Sequence, residues 1–304
     1  RSNFITFFKI YDLYKSIRPN ICHLITIKPI LFGSLIAHFF KELSLVISIS
    51  GLGYIFSDKR LISKINKIII SNIYKLALNQ RRIKVIFQNK DDKEKLMRIS
   101  NLSKKDTILI PGSGIDLNKY RPRANKDRKI VLFASRLLIS KGIKDFIDSS
   151  KYVRGAKFVV SGKFDFDNPD CIDPSYIYES QEKGLLEYWG EKEDMEKIIN
   201  MSSVVVLPSY YGEGLPKILI EAAACGKPII TTNHPGCREA IINRKTGFIV
   251  PIKNPLILSK YIQKIIDNKE LRMNLGKEAR ILAKRKFSID KVVEKHLDIY
   301  SSII

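Results

Sequence analysis

Short apolar runs recur along the chain, separated by stretches whose apolar positions fall at helical spacing. That alternation predicts βαβ units and parallel sheets. In the first part the runs predict strands near 21–25, 45–49, 84–88 and 107–110. In the second they predict strands near 130–134, 157–161, 185–189, 204–207, 228–232 and 248–250. Helical spacing covers 4–17, 141–151, 191–201, 215–225 and 237–243. From about Pro255 onward the tail reads as helix, with breaks near Asn268 and at 287–288. Residues 59–82 read as one long helix, with Arg60, Lys64 and Lys67 on one side and Ile62, Ile65, Ile69 and Ile73 on another.

The length of 304 residues suffices for two domains. The polar stretch 118–127, with Pro122 and many charges, reads as a linker. The expected division is a first domain over 1–120, a second over 121–288, and a terminal helix over 289–304 that crosses back to the first. The two halves share an architecture but no internal repeat.

Composition narrows the function classes. Apolar content is 45%, that of a globular chain. No run of 18 uncharged apolar residues occurs, so no transmembrane helix is predicted, and the opening lacks the pattern of a signal peptide. Cys22, Cys171, Cys225 and Cys237 have neither zinc-site nor redox-pair spacing, which fits a reduced cytosolic compartment. His23, His38, His234 and His296 are scattered and read as packed or surface residues. No carboxylate cluster resembles a divalent-ion site, so no metal and no cofactor are expected.

The net charge is +22, from 53 basic and 31 acidic residues. Residues 1–120 carry +13 of it and the longer remainder +9. Residues 59–90 hold nine Lys or Arg and no Asp or Glu. Such a surface attracts polyanions: nucleic acid, anionic lipid or phosphorylated substrates. A Lys-, Ile- and Asn-rich composition accounts for part of the excess. The 59–82 helix suits an anionic membrane surface, with Arg60, Lys64 and Lys67 facing it, or equally a helix packed on its sheet with a solvated basic face. No recognisable nucleic-acid-binding motif is present.

Several segments carry candidate chemistry. Residues 208–228, PSYYGEGLPKILIEAAACGKP, follow a buried strand and hold Glu213 and Glu221 with seven residues between them. Gly212, Gly214 and Pro216 mark a loop turning into a helix, and Pro216 suits the first helical turn. The free N–H groups of such a start, at Gly214 and Leu215, attract diphosphates. Eight residues of helix rise roughly 12 Å, about the length needed to hold a sugar at one carboxylate and a ribose at the other. A second segment, 130–142, is a strand followed by Arg136 and Lys141, at the edge where α/β folds bind ligands. A third, 159–162, ends in Gly162, which is either a turn glycine or a close backbone approach to a ligand. Trp189-Gly190-Glu191 repeats that pattern, with Trp189 either a core residue or a neighbour of a base. A fourth, 49–56, places Ser50, Gly51 and Gly53 after a strand.

The 208–228 run resembles the EX7E motif of retaining glycosyltransferases of the GT-B fold, in glycosyltransferase family four. The resemblance implies an α/β fold of two facing Rossmann-like domains. It begins partway into the family's first domain, because the usual opening strand, Gly-rich turn and first helix are absent. About six strands are usual in such a domain and four are found, and Arg1 stands where a methionine would. The first domain is therefore expected to be incomplete at its N-terminus, by on the order of 70 residues.

The resemblance also implies roles. Glu213 would hold sugar hydroxyls and Glu221 the ribose. Arg136, Lys141 and the N–H groups of Gly214 and Leu215 would bind the diphosphate, and Gly162 and Gly190 would flank the nucleoside. Residues 111–120 resemble the loop leading out of the family's first domain. Residues 26–29, 49–56 and 85–90 look like the branch that builds bacterial surface polysaccharide on a lipid carrier, with Ser50, Gly51 and Gly53 on the acceptor side. Many members place a His near Ser50, so a base role for this loop is not carried over. The implied activity is retaining, metal-independent transfer of a sugar from a nucleoside-diphosphate donor, UDP, to a polyprenyl-diphosphate-linked acceptor. It would occur peripherally on the cytoplasmic face of the cell membrane. Other readings are a transferase with a soluble acceptor, a nucleotide-sugar epimerase, a non-catalytic fragment, or a basic nucleic-acid-binding protein.

Overall fold

The computed structural model describes residues 2–52, 64–124 and 128–304. They form two compact units, one of residues 1–112, 212–214 and 290–304, the other of 113–211 and 215–289. Each is built on a parallel sheet.

The first unit orders its strands β1 (Ile21–Ile25), β2 (Ser44–Ile49), β3 (Ile83–Phe87) and β4 (Thr107–Leu109) side by side. Helices α1 (Ser2–Ile17), α2 (Ile27–Ala37), α3 (Lys64–Ala77) and α4 (Lys90–Ile99) precede or connect them. Successive strand residues point to opposite faces. Leu45, Ile47, Val85 and Phe87 therefore join one cluster with Tyr14, Ile36, Tyr74 and Leu96. Val46 and Ile86, one residue out of step, join another with Val292, Ile299 and Ile303. Those last three come from α11 (Ile289–Ile303).

Polar contacts fix that terminal helix. The Ser44 hydroxyl donates to the Ile303 carbonyl at 3.0 Å. Hydrogen bonds of 2.7 Å join the two His23 ring nitrogens to the Tyr300 and Ser48 hydroxyls. The His296 ring lies 5.8 Å from that of His23. The return of the chain end thus packs together two histidines that lie far apart in the sequence. Burial first, and then His296, hold His23 below the usual imidazole range.

The second unit has strand order β10-β9-β8-β5-β6-β7. The strands are β5 (Ile130–Ala134), β6 (Lys157–Ser161), β7 (Glu187–Tyr188), β8 (Val204–Leu207), β9 (Ile229–Thr232) and β10 (Gly247–Val250). Every residue of β5 and β8 is buried, as in central strands covered on both faces. The helices are α5 (Ile143–Ser150), α6 (Pro174–Glu182), α7 (Met195–Met201), α8 (Lys217–Ala224), α9 (Pro255–Asp267) and α10 (Lys269–Lys286).

Several expected helices differ in extent. The one expected over 141–151 is split by Gly142, whose φ of 80° separates a 3-10 turn, Ile139–Lys141, from α5. The one expected over 237–243 is a single 3-10 turn, Arg238–Ala240. The described part of the long helix expected over 59–82 ends at Ala77, where the Gln80 amide reaches back to the Ala77 and Ser34 carbonyls. The expectation named no helix at α2, α4 or α6. Yet Asn89 caps α4 by accepting from the Asp92 N–H, and Asp173-Pro174 opens α6.

Candidate functional site

The C-terminal ends of β5 and β6 open into a cavity of about 220 Å³. Arg136 follows β5, Gly162 follows β6, and Glu221 reaches the cavity from the second turn of α8. Three residues from separate segments thus line one space, with Lys163, Glu191 and Lys192 beside them. Gly162 has φ 150°, and any side chain there would collide with the Ser135 carbonyl. Its N–H donates to the Gly190 carbonyl at 2.9 Å, and so does the Ser161 hydroxyl. Gly190 therefore holds the floor from behind without lining it. Trp189 is partly buried against the core, and its indole N–H donates to Glu187 at 3.1 Å.

Glu221 is 6% exposed. Burial raises its carboxyl above the usual range, while a hydrogen bond from the Tyr120 hydroxyl and the charge of Lys217 oppose the rise. The Arg280 guanidinium supports this end of α8. It donates to the carbonyls of Ala224 at 2.6 Å, Tyr120 at 2.7 Å and Leu117 at 3.1 Å. Neither Tyr120 nor Arg280 was singled out in the sequence. Only the spatial return of residues 117–120 to α8 gives them a role.

Lys141 does not line the cavity. It is 7% exposed, and its ammonium lies 5.0 Å from the centre of the Tyr211 ring. The turn carrying it abuts the loop after β8, since a side chain on Gly142 would collide with the Pro208 carbonyl. Pro216 is corrected by one position. It is the N-cap of α8, with ψ 123°, and the helix starts at Lys217. No side chain caps this start.

Residues 212–214 belong to the first unit, so Glu213 and Gly214 lie against the loop after β2. The Gly214 N–H donates to the Ser50 carbonyl at 2.8 Å. This corrects its expected availability to a diphosphate, because a donor already bonded is not free for a ligand. A side chain on Gly51 would press into the backbone of Glu213 and Gly214. Ser50, Gly51 and Glu213 are therefore neighbours. Gln88 and Asn89, from the 85–90 segment, and Asp92, which the sequence did not flag, complete this corner. A side chain on Gly214 would meet the Gln88 amide oxygen. Asn89 donates to Asp92 at 2.8 Å, and Asp92 accepts from the Leu52 N–H at 3.3 Å. Burial raises the Asp92 carboxyl. Gly53 and Arg60 lie outside the described residues, and Lys64 and Lys67 fall in the first turns of α3.

Among the described residues no helix is long and apolar enough to cross a membrane. Nor, among them, is any group of three or more His, Cys, Asp or Glu placed to hold a metal ion.

Residues 115–282 match the model of the family described as glycosyl transferases group 1, and residues 1–89 that of glycosyl transferase 4-like proteins. The chain is 31% identical over 288 residues to the N,N'-diacetylbacillosaminyl-diphospho-undecaprenol alpha-1,3-N-acetylgalactosaminyltransferase of Campylobacter jejuni, covering 90% of this chain and 74% of that protein. It is 25% identical to the UDP-Gal:alpha-D-GlcNAc-diphosphoundecaprenol alpha-1,3-galactosyltransferase of Escherichia coli, covering 97% of this chain and 78% of the relative. The crystal structure of Anabaena HepE in complex with UDP superposes with a TM-score of 0.81 at 17% identity, over 97% of this chain and 82% of that one. At that identity the likeness is one of fold, and the fold is the GT-B arrangement of two Rossmann-like domains.

Proposed function

We propose, from the premise that this chain belongs to the group 1 glycosyl transferases, that it moves a sugar from a UDP-linked donor to a polyprenyl-diphosphate-linked glycan. The setting is surface-polysaccharide assembly at the cytoplasmic face of the cell membrane. One observation carries the reading: Arg136, Gly162 and Glu221 converge on a single cavity at the C-terminal ends of parallel strands, where such sheets take their ligands. Relatives named for diphospho-undecaprenol acceptors support the acceptor class. A UDP-galactose transferase and a UDP complex among them support the nucleotide.

In this reading Glu221 accepts from the ribose hydroxyls. Its burial suits that task, because a desolvated carboxylate gains most from a hydrogen-bond donor. Arg136 offers its planar fork to the diphosphate and Lys141 a point charge. Glu213 holds sugar hydroxyls. As the glycosidic bond to the diphosphate breaks, negative charge grows on the leaving oxygen, and the two cations stabilise it. That oxygen takes the acceptor hydroxyl's proton on the same face, so the anomeric configuration is retained and no metal is needed.

The test is transfer from a panel of UDP-sugars to a polyprenyl-diphosphate-linked glycan. Glu213→Gln should abolish it with the fold intact. Arg136→Ala should slow it by about 100-fold, as loss of one preorganised charge contact does. Product with inverted configuration, or near-normal rates in both variants, would overturn the reading.

A further inference from the structure

The cation proposed to bind the donor diphosphate already has an anion on it. The Arg136 guanidinium donates to a carboxylate oxygen of Asp165 at 2.7 Å. Asp165 lies four residues after β6, in the same loop as Gly162. Two aromatic residues flank it. The rings of Phe164 and Phe166 stack, with centroids 5.7 Å apart and planes 19° from parallel. Asp165, between the two stacked rings, is the residue whose carboxylate reaches Arg136. The loop is also anchored. Phe164 meets the edge of Tyr188, whose hydroxyl donates to the Gly162 carbonyl at 2.9 Å. Beyond it, the Asp165 carbonyl accepts from the Asn168 N–H at 2.9 Å.

A carboxylate and a diphosphate cannot share one face of a guanidinium without like-charge repulsion in a partly desolvated cavity. The Asp165 side chain is 25% exposed and that of Arg136 44% exposed, so the pair is neither free in solvent nor sealed. A pair of this exposure is weak enough to exchange partners.

We propose that Asp165 is an affinity-setting placeholder: it occupies Arg136 while the cavity is empty, the donor diphosphate displaces it, and it reclaims Arg136 as the nucleotide product leaves. This rests on the reading of Arg136 as a diphosphate ligand. The opposite role for the same contact is also definite. A carboxylate that stayed on Arg136 and oriented it would strengthen donor binding.

Calorimetric titration of the full chain with UDP, and separately with inorganic pyrophosphate, tells these apart. Under the placeholder role, Asp165→Asn tightens both ligands about two- to fivefold, the range that a partly exposed pair is worth. Arg136→Ala weakens both by tenfold or more. The double variant matches Arg136→Ala, because Asp165 acts only through Arg136. Asp167→Asn, an exposed acid in the same loop, leaves both affinities unchanged. Asp165→Ser repeats the measurement with a shorter side chain, and thermal melting confirms that each variant is folded. Weaker or unchanged binding in both Asp165 variants would overturn the proposal while Arg136→Ala upholds the site. Equal tightening in Asp167→Asn would reduce the effect to bulk charge and overturn it too. Unchanged UDP affinity in Arg136→Ala would overturn the donor-site reading and the placeholder with it.

Discussion

Replacing Arg280 with Ala should cost the second unit more stability than any other single exposed-side change in α10. The guanidinium serves three carbonyls, those of Ala224, Tyr120 and Leu117, at 2.6–3.1 Å. A hydrogen bond to a charged group contributes about 1.5–3 kcal/mol, so three set a ceiling near 4.5–9 kcal/mol. Arg280 is only half-buried, and water will re-satisfy part of what is lost. A net loss of about 3 kcal/mol follows. For a folding unit of this size 1 kcal/mol moves Tm by roughly 2–4 °C, so the transition should fall by about 6–12 °C. Calorimetry of the full chain measures it, with Arg280→Lys as companion. Lys keeps the charge but lacks the fork, and should lose about half as much. UDP affinity should fall in the same variants at temperatures where they remain folded, because Ala224 ends the helix that carries Glu221. A Tm within 2 °C of the parent would refute the reasoning, since it would mean that the three carbonyls find equal partners without Arg280.

Glu221→Gln should weaken UDP binding yet raise stability at neutral pH. A carboxyl whose folded pKa is raised contributes stability below its unfolded pKa and loses it as pH rises through the folded value, so the variant's advantage should vanish in acid; a pH-independent difference in melting would count against it. Gly142→Ala should destabilise by about 1–3 kcal/mol, since a side chain there meets both a positive φ and the Pro208 carbonyl, and chemical denaturation would show it. Chelation with EDTA should leave transfer intact; a sharp, metal-restorable loss would contradict Arg136 and Lys141 as the charge-stabilising groups. Reversing Arg60, Lys64 and Lys67 to Glu should release the protein from anionic vesicles, each cation near the surface being worth about 1 kcal/mol, while UDP affinity stays unchanged; undiminished vesicle binding at physiological salt would assign membrane contact elsewhere.

How far the sequence could be read depended on the range of the interaction. Strands β5 and β8 fall on the residues that their apolar runs mark, because a fully buried parallel strand writes its burial into consecutive positions, and β6 follows the same rule after its exposed Lys157. The cavity lined by Arg136, Gly162 and Glu221 was readable, the first two from the strand ends that they follow and the third from the motif on α8. Asp165 was not. It lies in a loop that matches no motif, and its pairing with Arg136 depends on two strands lying side by side. Tyr120 and Arg280 escaped for the same reason, since 160 positions separate residues whose atoms touch. The commitment of the Gly214 N–H to Ser50 was invisible for a different cause: a motif specifies a loop's residues, not which of its backbone donors are already taken.

The terminal helix sets an order of assembly. Val46, Ile86 and Ile110 present one face of the first sheet, and what covers it in the described residues is Val292, Ile299 and Ile303. A ribosome delivers those two sets of residues nearly two hundred codons apart, with the whole second unit made in between. During synthesis Val46, Ile86 and Ile110 await these partners from the last helix, exposed meanwhile to chaperones or to another nascent chain. The second unit, complete by residue 289, has no such delay. Slow codons placed before the last helix would lengthen the vulnerable interval, and expression yield should register it before any assay of the finished protein does.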